Sequence, residues 1–197
     1  APGPNFLANE IAVASPLAAF ARTSRVQYIT ANASNVACNS PRSTPSTDIA
    51  FAGTYYAGKY PERCEKMDML FDAAANHGLV IYDRQSDGEN PQYVFPERFA
   101  PHVRSKLEYQ EMLQKHREHR IFLNVNSVED SLTMAARRIF EIPASGACLV
   151  SGPGLAVREV FGNTVPMVSS SEQANATLDA LMADEAFLRY TIQASRH

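Results

Sequence analysis

Asp48-Ile-Ala-Phe-Ala-Gly53 is a short apolar run that ends at a glycine, and its surroundings decide the fold. A loop, Thr54–Tyr60, follows it, and then Pro61, placed where a helix tolerates proline because its first turn has no donor to lose. Glu62–Asn76 reads as helix, and His77-Gly78 stops it. Leu79-Val-Ile-Tyr82 opens the next apolar run. The order is therefore strand, loop, helix, strand, and both strands are apolar throughout rather than alternating. A strand covered on both faces has that pattern.

Working outward towards the C-terminus, the alternation repeats. Tyr109–His119 reads as a helix with Met112, Leu113 and His116 near one face, and Ile121-Phe-Leu-Asn-Val125 as a strand. Leu132–Ile142 is predicted helical, Ala147–Ser151 a strand, and Leu155–Phe161 a short helix. Val165-Pro-Met-Val168 then leads to two helices, Ser171–Met182 and Asp184–Ala194. Strands of about five residues between longer helices predict an α/β fold, a Rossmann-like parallel sheet with helices on both faces.

Towards the N-terminus the character changes. Asn32–Thr47 is rich in Asn, Ser, Thr and Pro and reads as a linker. Glu10–Ala21 is a plausible helix before it, and Val26–Thr30 a plausible strand. The predicted organisation is an N-terminal segment and linker over 1–47 and a Rossmann-like domain over 48–197.

Composition narrows the function classes. The 197 residues are 45% hydrophobic and 20% charged with a net charge of −3, so no basic excess points to nucleic acid. Apolar stretches fall well short of the roughly 18 residues of a membrane span. Ala1–Ala21 lacks a basic start and is interrupted by Asn9 and Glu10, so it does not read as a signal peptide. Cys38, Cys64 and Cys148 are odd in number and unpaired in spacing, which suits reduced thiols and a cytoplasmic protein.

In an open parallel sheet, ligands bind where strands end, near the point at which strand order reverses. Three loops fit. After Gly53 the backbone is accessible, a helix N-terminus follows, and Lys59 and Arg63 supply cations for a phosphate. A plain strand-to-helix turn with solvated basic residues is the other reading. After the strand at Ile121, Asn124 and Asn126 lie among Ser127, Glu129 and Asp130, a set able to read a base or sugar hydroxyls. Asp130 or Ser131 can equally cap a helix starting at Leu132. Finally, Arg137, Arg138 and Glu141 fall on one predicted helix, with Arg137 and Glu141 on a common face. They are either a surface ion pair or ligand groups.

Other chemistries find less support. The chain has no Walker loop, no G-x-G-x-x-G and no G-x-S-x-G elbow. His116 and His119 have no evident further metal ligands in register, so no metal is expected.

The stretch Ser131-Leu-Thr-Met-Ala-Ala-Arg-Arg-Ile-Phe-Glu-Ile-Pro-Ala-Ser-Gly-Ala-Cys-Leu-Val-Ser151 resembles the R-x-F-E-x-x-A-x-G segment of bacterial GT-B glycosyltransferases. It is most similar to those related to the spore maturation protein CgeB and to the group 1 C-terminal domain. Asp48–Tyr56 with Arg63, and Phe122-Leu-Asn-Val-Asn-Ser127, resemble earlier landmarks of that group in the right order.

The resemblance implies the C-terminal, donor-binding half of a GT-B fold, which transfers a sugar, of hexosyltransferase type, from a nucleoside-diphosphate sugar to a glycan or protein. By position Glu141 would bind the ribose hydroxyls, with Asn124 and Asn126 as secondary nucleotide contacts. Gly53, Lys59, Arg63, Arg137 and Arg138 would hold the diphosphate, protein cations standing in for a metal. The expected partner is an N-terminal acceptor-binding domain, without which the chain would bind donor weakly and transfer nothing.

Retaining members often carry a second glutamate eight positions before the ribose-binding one. This sequence has Thr133 there, so no catalytic residue is assigned. Two alternatives stay open: a nucleotide-sugar epimerase of the same architecture, and a non-catalytic Rossmann-like interaction domain.

Overall fold

The computed structural model describes residues 47–88 and 90–196. The predicted helix at Glu10–Ala21, the strand at Val26–Thr30 and the linker lie outside the described residues.

Five parallel strands form one sheet: β1 (Thr47–Gly53), β2 (Leu79–Asp83), β3 (Val103–Arg104), β4 (His119–Asn124) and β5 (Cys148–Ser151), in the order β3-β2-β1-β4-β5. Ile49 of β1 is in register with Leu79 of β2 on one side and Ile121 of β4 on the other. The order reverses between β1 and β4, so the ends of those two strands flank the crevice of this topology.

Among the described residues six helices cover the sheet: α1 (Pro61–Ala75), α2 (Tyr109–Glu118), α3 (Arg138–Ala144), α4 (Leu155–Phe161), α5 (Ser171–Ala183) and α6 (Glu185–Ala194). Two short 3-10 turns, Pro91–Tyr93 and Glu97–His102, precede β3. On one face Ile49, Phe51, Ile81, Ile121 and Leu123 pack with Met67, Leu70 and Phe71 of α1, Leu178 of α5 and Leu188 of α6. On the other, Ala50, Val80, Phe122 and Leu149 pack with Ile139 and Ile142 of α3 and Val157 of α4. Because both faces are covered, side chains pointing either way must be apolar, which is why the strand sequences do not alternate.

Local signals set most helix ends. Pro61 opens α1, and Gly78 with φ 77° turns the chain into β2. A reciprocal capping box, Glu108 with Glu111, opens α2, and Asp184 caps α6 by accepting from the Ala186 and Phe187 amides.

One prediction is corrected. The helix expected over Leu132–Ile142 begins only at Arg138 and runs through Pro143 to Ala144. Ser131 does not cap a helix at Leu132; its Oγ accepts from the amides of Thr133 and Met134, closing a local turn in place of helix hydrogen bonds. The Glu129 carbonyl accepts from the Leu155 amide at 2.6 Å, which ties this stretch to the start of α4. The two-residue strand β3 was missed as well, being too short to carry a period.

Among the described residues no helix is long and apolar enough to cross a membrane. Cys64 and Cys148 are buried.

Candidate donor-binding cleft

A cleft of about 500 Å³ opens between α2, α3 and the ends of β1 and β4, within the range of small-molecule sites. Its apolar part includes Phe122, Leu123 and Ile142, and its polar part is Arg84, Glu108, Tyr109, His116, Arg137, Arg138 and Glu141.

At one end of the cleft stands Glu141, which is 5% exposed. Its Oε1 accepts from the Tyr109 hydroxyl at 2.6 Å and pairs with Arg137 Nε at 2.9 Å. The Arg137 guanidinium also lies 4.6 Å from the centre of the Tyr109 ring. Placing Arg137 four residues before Glu141 at the start of α3 makes the pair possible, and α2 brings Tyr109 across to it. Both side-chain partners of the carboxylate sit on one oxygen, Oε1.

Arg138 reaches the other way. Its Nη1 donates to the Ala52 carbonyl at 2.6 Å and lies 3.6 Å from where a Cβ on Gly53 would stand. Burial, and then the charges of Arg63 and Arg84, push its proton affinity down to about 10, with Glu141 acting in the opposite sense. It remains a cation at neutral pH.

Arg63 approaches the same strand end from α1, on the opposite face of the sheet. It is buried, its Nη1 donates to the Thr54 carbonyl at 2.9 Å and contacts Met67 Sδ, and its Nε has no hydrogen-bond partner. Burial lowers its proton affinity, and no carboxylate stands among the charges acting on it. A buried cation without a counter-ion is costly and fits a ligand that supplies the anion. Gly53 lies between these two arginines. A Cβ there would come within 2.8 Å of the Phe51 ring, so the packing calls for glycine; Gly53 is itself buried, and neither it nor Arg63 is among the residues lining the cleft.

The remaining candidates sit elsewhere. Lys59 is exposed, 5.1 Å from the centre of the Tyr60 ring, and does not line the cleft. Asn124 is fully buried, with its Nδ2 donating to Asn126 Oδ1 and Ser151 Oγ and its Oδ1 unpartnered. Asn126 braces the loop after β5 by donating to the Pro153 carbonyl at 2.9 Å. These two asparagines thus join the ends of β4 and β5, and neither lines the cleft.

Arg84, Glu108 and Tyr109 of the cleft escaped sequence reading as ligand groups, and His116 was weighed there only for a metal. Tyr109 and His116 are seven apart on α2, a helical spacing that puts them on one face, and that was the available signal. Arg84 simply follows β2, and nothing local marks it. Among the described residues no group of three or more His, Cys, Asp and Glu side chains is placed to hold a metal ion.

A family model described as glycosyl transferase-like matches residues 88–197, which include Arg137, Arg138 and Glu141. No curated protein matches the chain. Among solved structures it is similar to T4 phage β-glucosyltransferase in complex with UDP and Mn2+, at 15% identity and TM-score 0.59, over 80% of this chain and 44% of that one. It is also similar to sucrose-phosphate synthase from Thermosynechococcus elongatus, at 13% identity and TM-score 0.55, over 86% and 44%. The C-terminal domain of the group 1 glycosyl transferase LpcC from Francisella tularensis matches at 13% identity and TM-score 0.53, over 87% of this chain and 92% of that one. The chain spans less than half the length of the first two. At these identities the likeness is one of fold: the Rossmann-like domain of GT-B enzymes.

Proposed function

The chain belongs to the glycosyl transferase-like family, and from that premise we propose that it is the donor-binding half of a two-domain GT-B glycosyltransferase. It would take a nucleoside-diphosphate sugar and present the sugar's anomeric carbon to an acceptor hydroxyl held by a partner domain. The observation that carries this reading is the convergence of Arg63 and Arg138 on the end of β1, two cations of low solvent access with no ion-paired carboxylate, on either side of a glycine.

A diphosphate is the ligand for such a site. Its oxygens would lie beside Gly53 and receive charge-assisted hydrogen bonds from Arg63 and Arg138, with Arg137 alongside. Lys59, exposed and outside the cleft lining, would contribute only long-range attraction. When the bond between the anomeric carbon and the phosphate oxygen breaks, negative charge grows on the leaving nucleoside diphosphate, and the arginines stabilise it without reorganising. Glu141 Oε2 would accept from a ribose hydroxyl, and Asn124 and Asn126 would shape the adjoining strand ends.

Protein cations take the part of a metal in this reading, so binding is expected without one. The T4 phage enzyme was solved with UDP and Mn2+, which makes the point worth testing. The finer family placement, beside CgeB-like enzymes, the division of the chain at residue 47, the glycan or protein acceptor and a cytoplasmic setting belong to the same proposal.

Calorimetry of UDP, GDP, dTDP and inorganic pyrophosphate against the chain, with EDTA and then with Mn2+, tests it. Pyrophosphate and at least one nucleotide should bind in EDTA, and Arg138→Met should weaken both. A folded chain that binds none of them, with or without metal, overturns the donor-site reading.

A further inference from the structure

Among the described residues lining the cleft, His116 alone carries a buried side-chain polar atom with no hydrogen-bond partner, its Nδ1. The side chain is 2% exposed, and its ring meets Phe122 edge-on with centroids 4.7 Å apart. A buried imidazole nitrogen left unpaired is costly, and an aromatic or aliphatic side chain there would avoid the cost. Burial, then the charges of Arg138 and His119, hold its proton affinity down to about 3. The ring is therefore neutral at neutral pH, with one nitrogen donating and the other accepting.

The rest of the cleft constrains what meets this atom. Arg138 and Arg137 suit phosphate oxygens and Glu141 suits a diol. Besides Arg84, Glu108 and Tyr109, what remains is an apolar lining that includes Leu107, Met112, Phe122, Leu123 and Ile142, among which His116 brings a neutral hydrogen-bonding side chain. A charged group would be poorly served there. A flat heterocycle with apolar faces and a polar edge would be well served.

We propose that His116 Nδ1 is the base-selecting contact of this cleft, hydrogen-bonded to the edge of the nucleobase of the bound nucleoside diphosphate. The inference rests on the donor-site reading and goes beyond it by naming the residue that discriminates between bases. Selection follows from the same burial that makes the free protein pay: a base without the complementary group leaves Nδ1 unpaired, whereas the matching base satisfies it.

The test is calorimetric binding of UDP, GDP, dTDP, ADP and pyrophosphate to the full chain and to its H116F, H116N and H116Q variants. The unmodified protein should prefer one base at least about tenfold, or about 1.4 kcal/mol. H116F keeps the ring contact with Phe122 but has no polar atom, and should bring the four nucleotides within about threefold of one another. H116N sets an amide near the position of Nδ1 and should keep the preference, while H116Q reaches past it and should lose it. Pyrophosphate affinity should be unchanged in all three. Should H116F fail to fold, the contrast between H116N and H116Q decides.

An unmodified protein without base preference, a preference retained in H116F or H116Q, or a parallel loss of pyrophosphate binding overturns the inference alone. A protein that binds neither pyrophosphate nor any nucleotide overturns the donor-site reading, and this inference with it.

Discussion

Arg63 and Arg138 donate to backbone carbonyls two residues apart at the end of β1, Thr54 and Ala52, at 2.9 and 2.6 Å, from helices on opposite faces of the sheet. Each is fixed by a neutral carbonyl rather than neutralised by a carboxylate, and burial, then the charge of Arg63, depress the proton affinity of Arg138. The geometry holds positive charge in place at modest solvent access. An arriving anion meets donors already oriented.

It follows that removing either arginine should weaken diphosphate binding more than a surface charge would. Charge-assisted hydrogen bonds contribute about 1.5–3 kcal/mol each, so Arg138→Met should reduce pyrophosphate affinity by roughly 10- to 150-fold. Arg138→Lys should recover only part of it, since a point charge cannot bridge the Ala52 carbonyl and a phosphate as a planar fork can. Titration calorimetry reads the result; an affinity within about twofold of the parent would remove Arg138 from the site.

Glu141 should separate nucleoside from diphosphate. Glu141→Gln keeps an acceptor for Tyr109 but loses the carboxylate facing the ribose, and should cost nucleotides about 1–2 kcal/mol, roughly 5- to 30-fold. Pyrophosphate has no ribose and should bind as before. Equal losses for both probes would mean that Glu141 acts by holding Arg137, not by touching the sugar.

Gly53 is a packing prediction. A methyl group there meets the Phe51 ring at 2.8 and 2.9 Å, and Phe51 is fully buried, so the ring has little room to give. Gly53→Ala should destabilise by about 1–3 kcal/mol, the usual cost of overpacking. Urea unfolding provides the measurement, and an unchanged midpoint would show that Phe51 moves freely.

His116 makes an acid-stability prediction. Its proton affinity is about 3 in the folded chain against about 6.5 unfolded. The unfolded state therefore binds the extra proton between those values, and stability from this group is lost as pH falls from about 6.5 towards 3. The shift corresponds to at most ~5 kcal/mol over the whole window. H116F cannot take up that proton, so it should unfold at lower pH than the parent and, free of ligand, melt at higher temperature. Circular dichroism against pH checks this; coincident acid transitions would contradict it.

Much of the architecture was legible in the residues. Apolar runs at Ile49, Leu79, Ile121 and Cys148 are continuous because each strand is buried on both faces, and punctuation such as Pro61 and Gly78 acts within one or two residues of itself. Arg137 and Glu141 meet because four residues make one helical turn, a relation visible without any tertiary knowledge. Leu132–Arg137 failed as helix because its period was right but Ser131 offered the backbone a competing turn, and Leu155, well beyond the stretch in sequence, anchored the neighbouring Glu129.

What the sequence determined by itself was the parallel α/β fold and the place of Arg63, Arg138 and Glu141 near strand ends, since both follow from short-range periodicity and turn chemistry. Tertiary structure decided which of those charges share a site. It set Arg63 and Arg138 about Gly53, left Lys59 at the surface, drew Asn124 into the strand ends and buried His116 beside Arg138. No local rule fixes such distances, because they arise from how helices on two faces of one sheet converge at its edge.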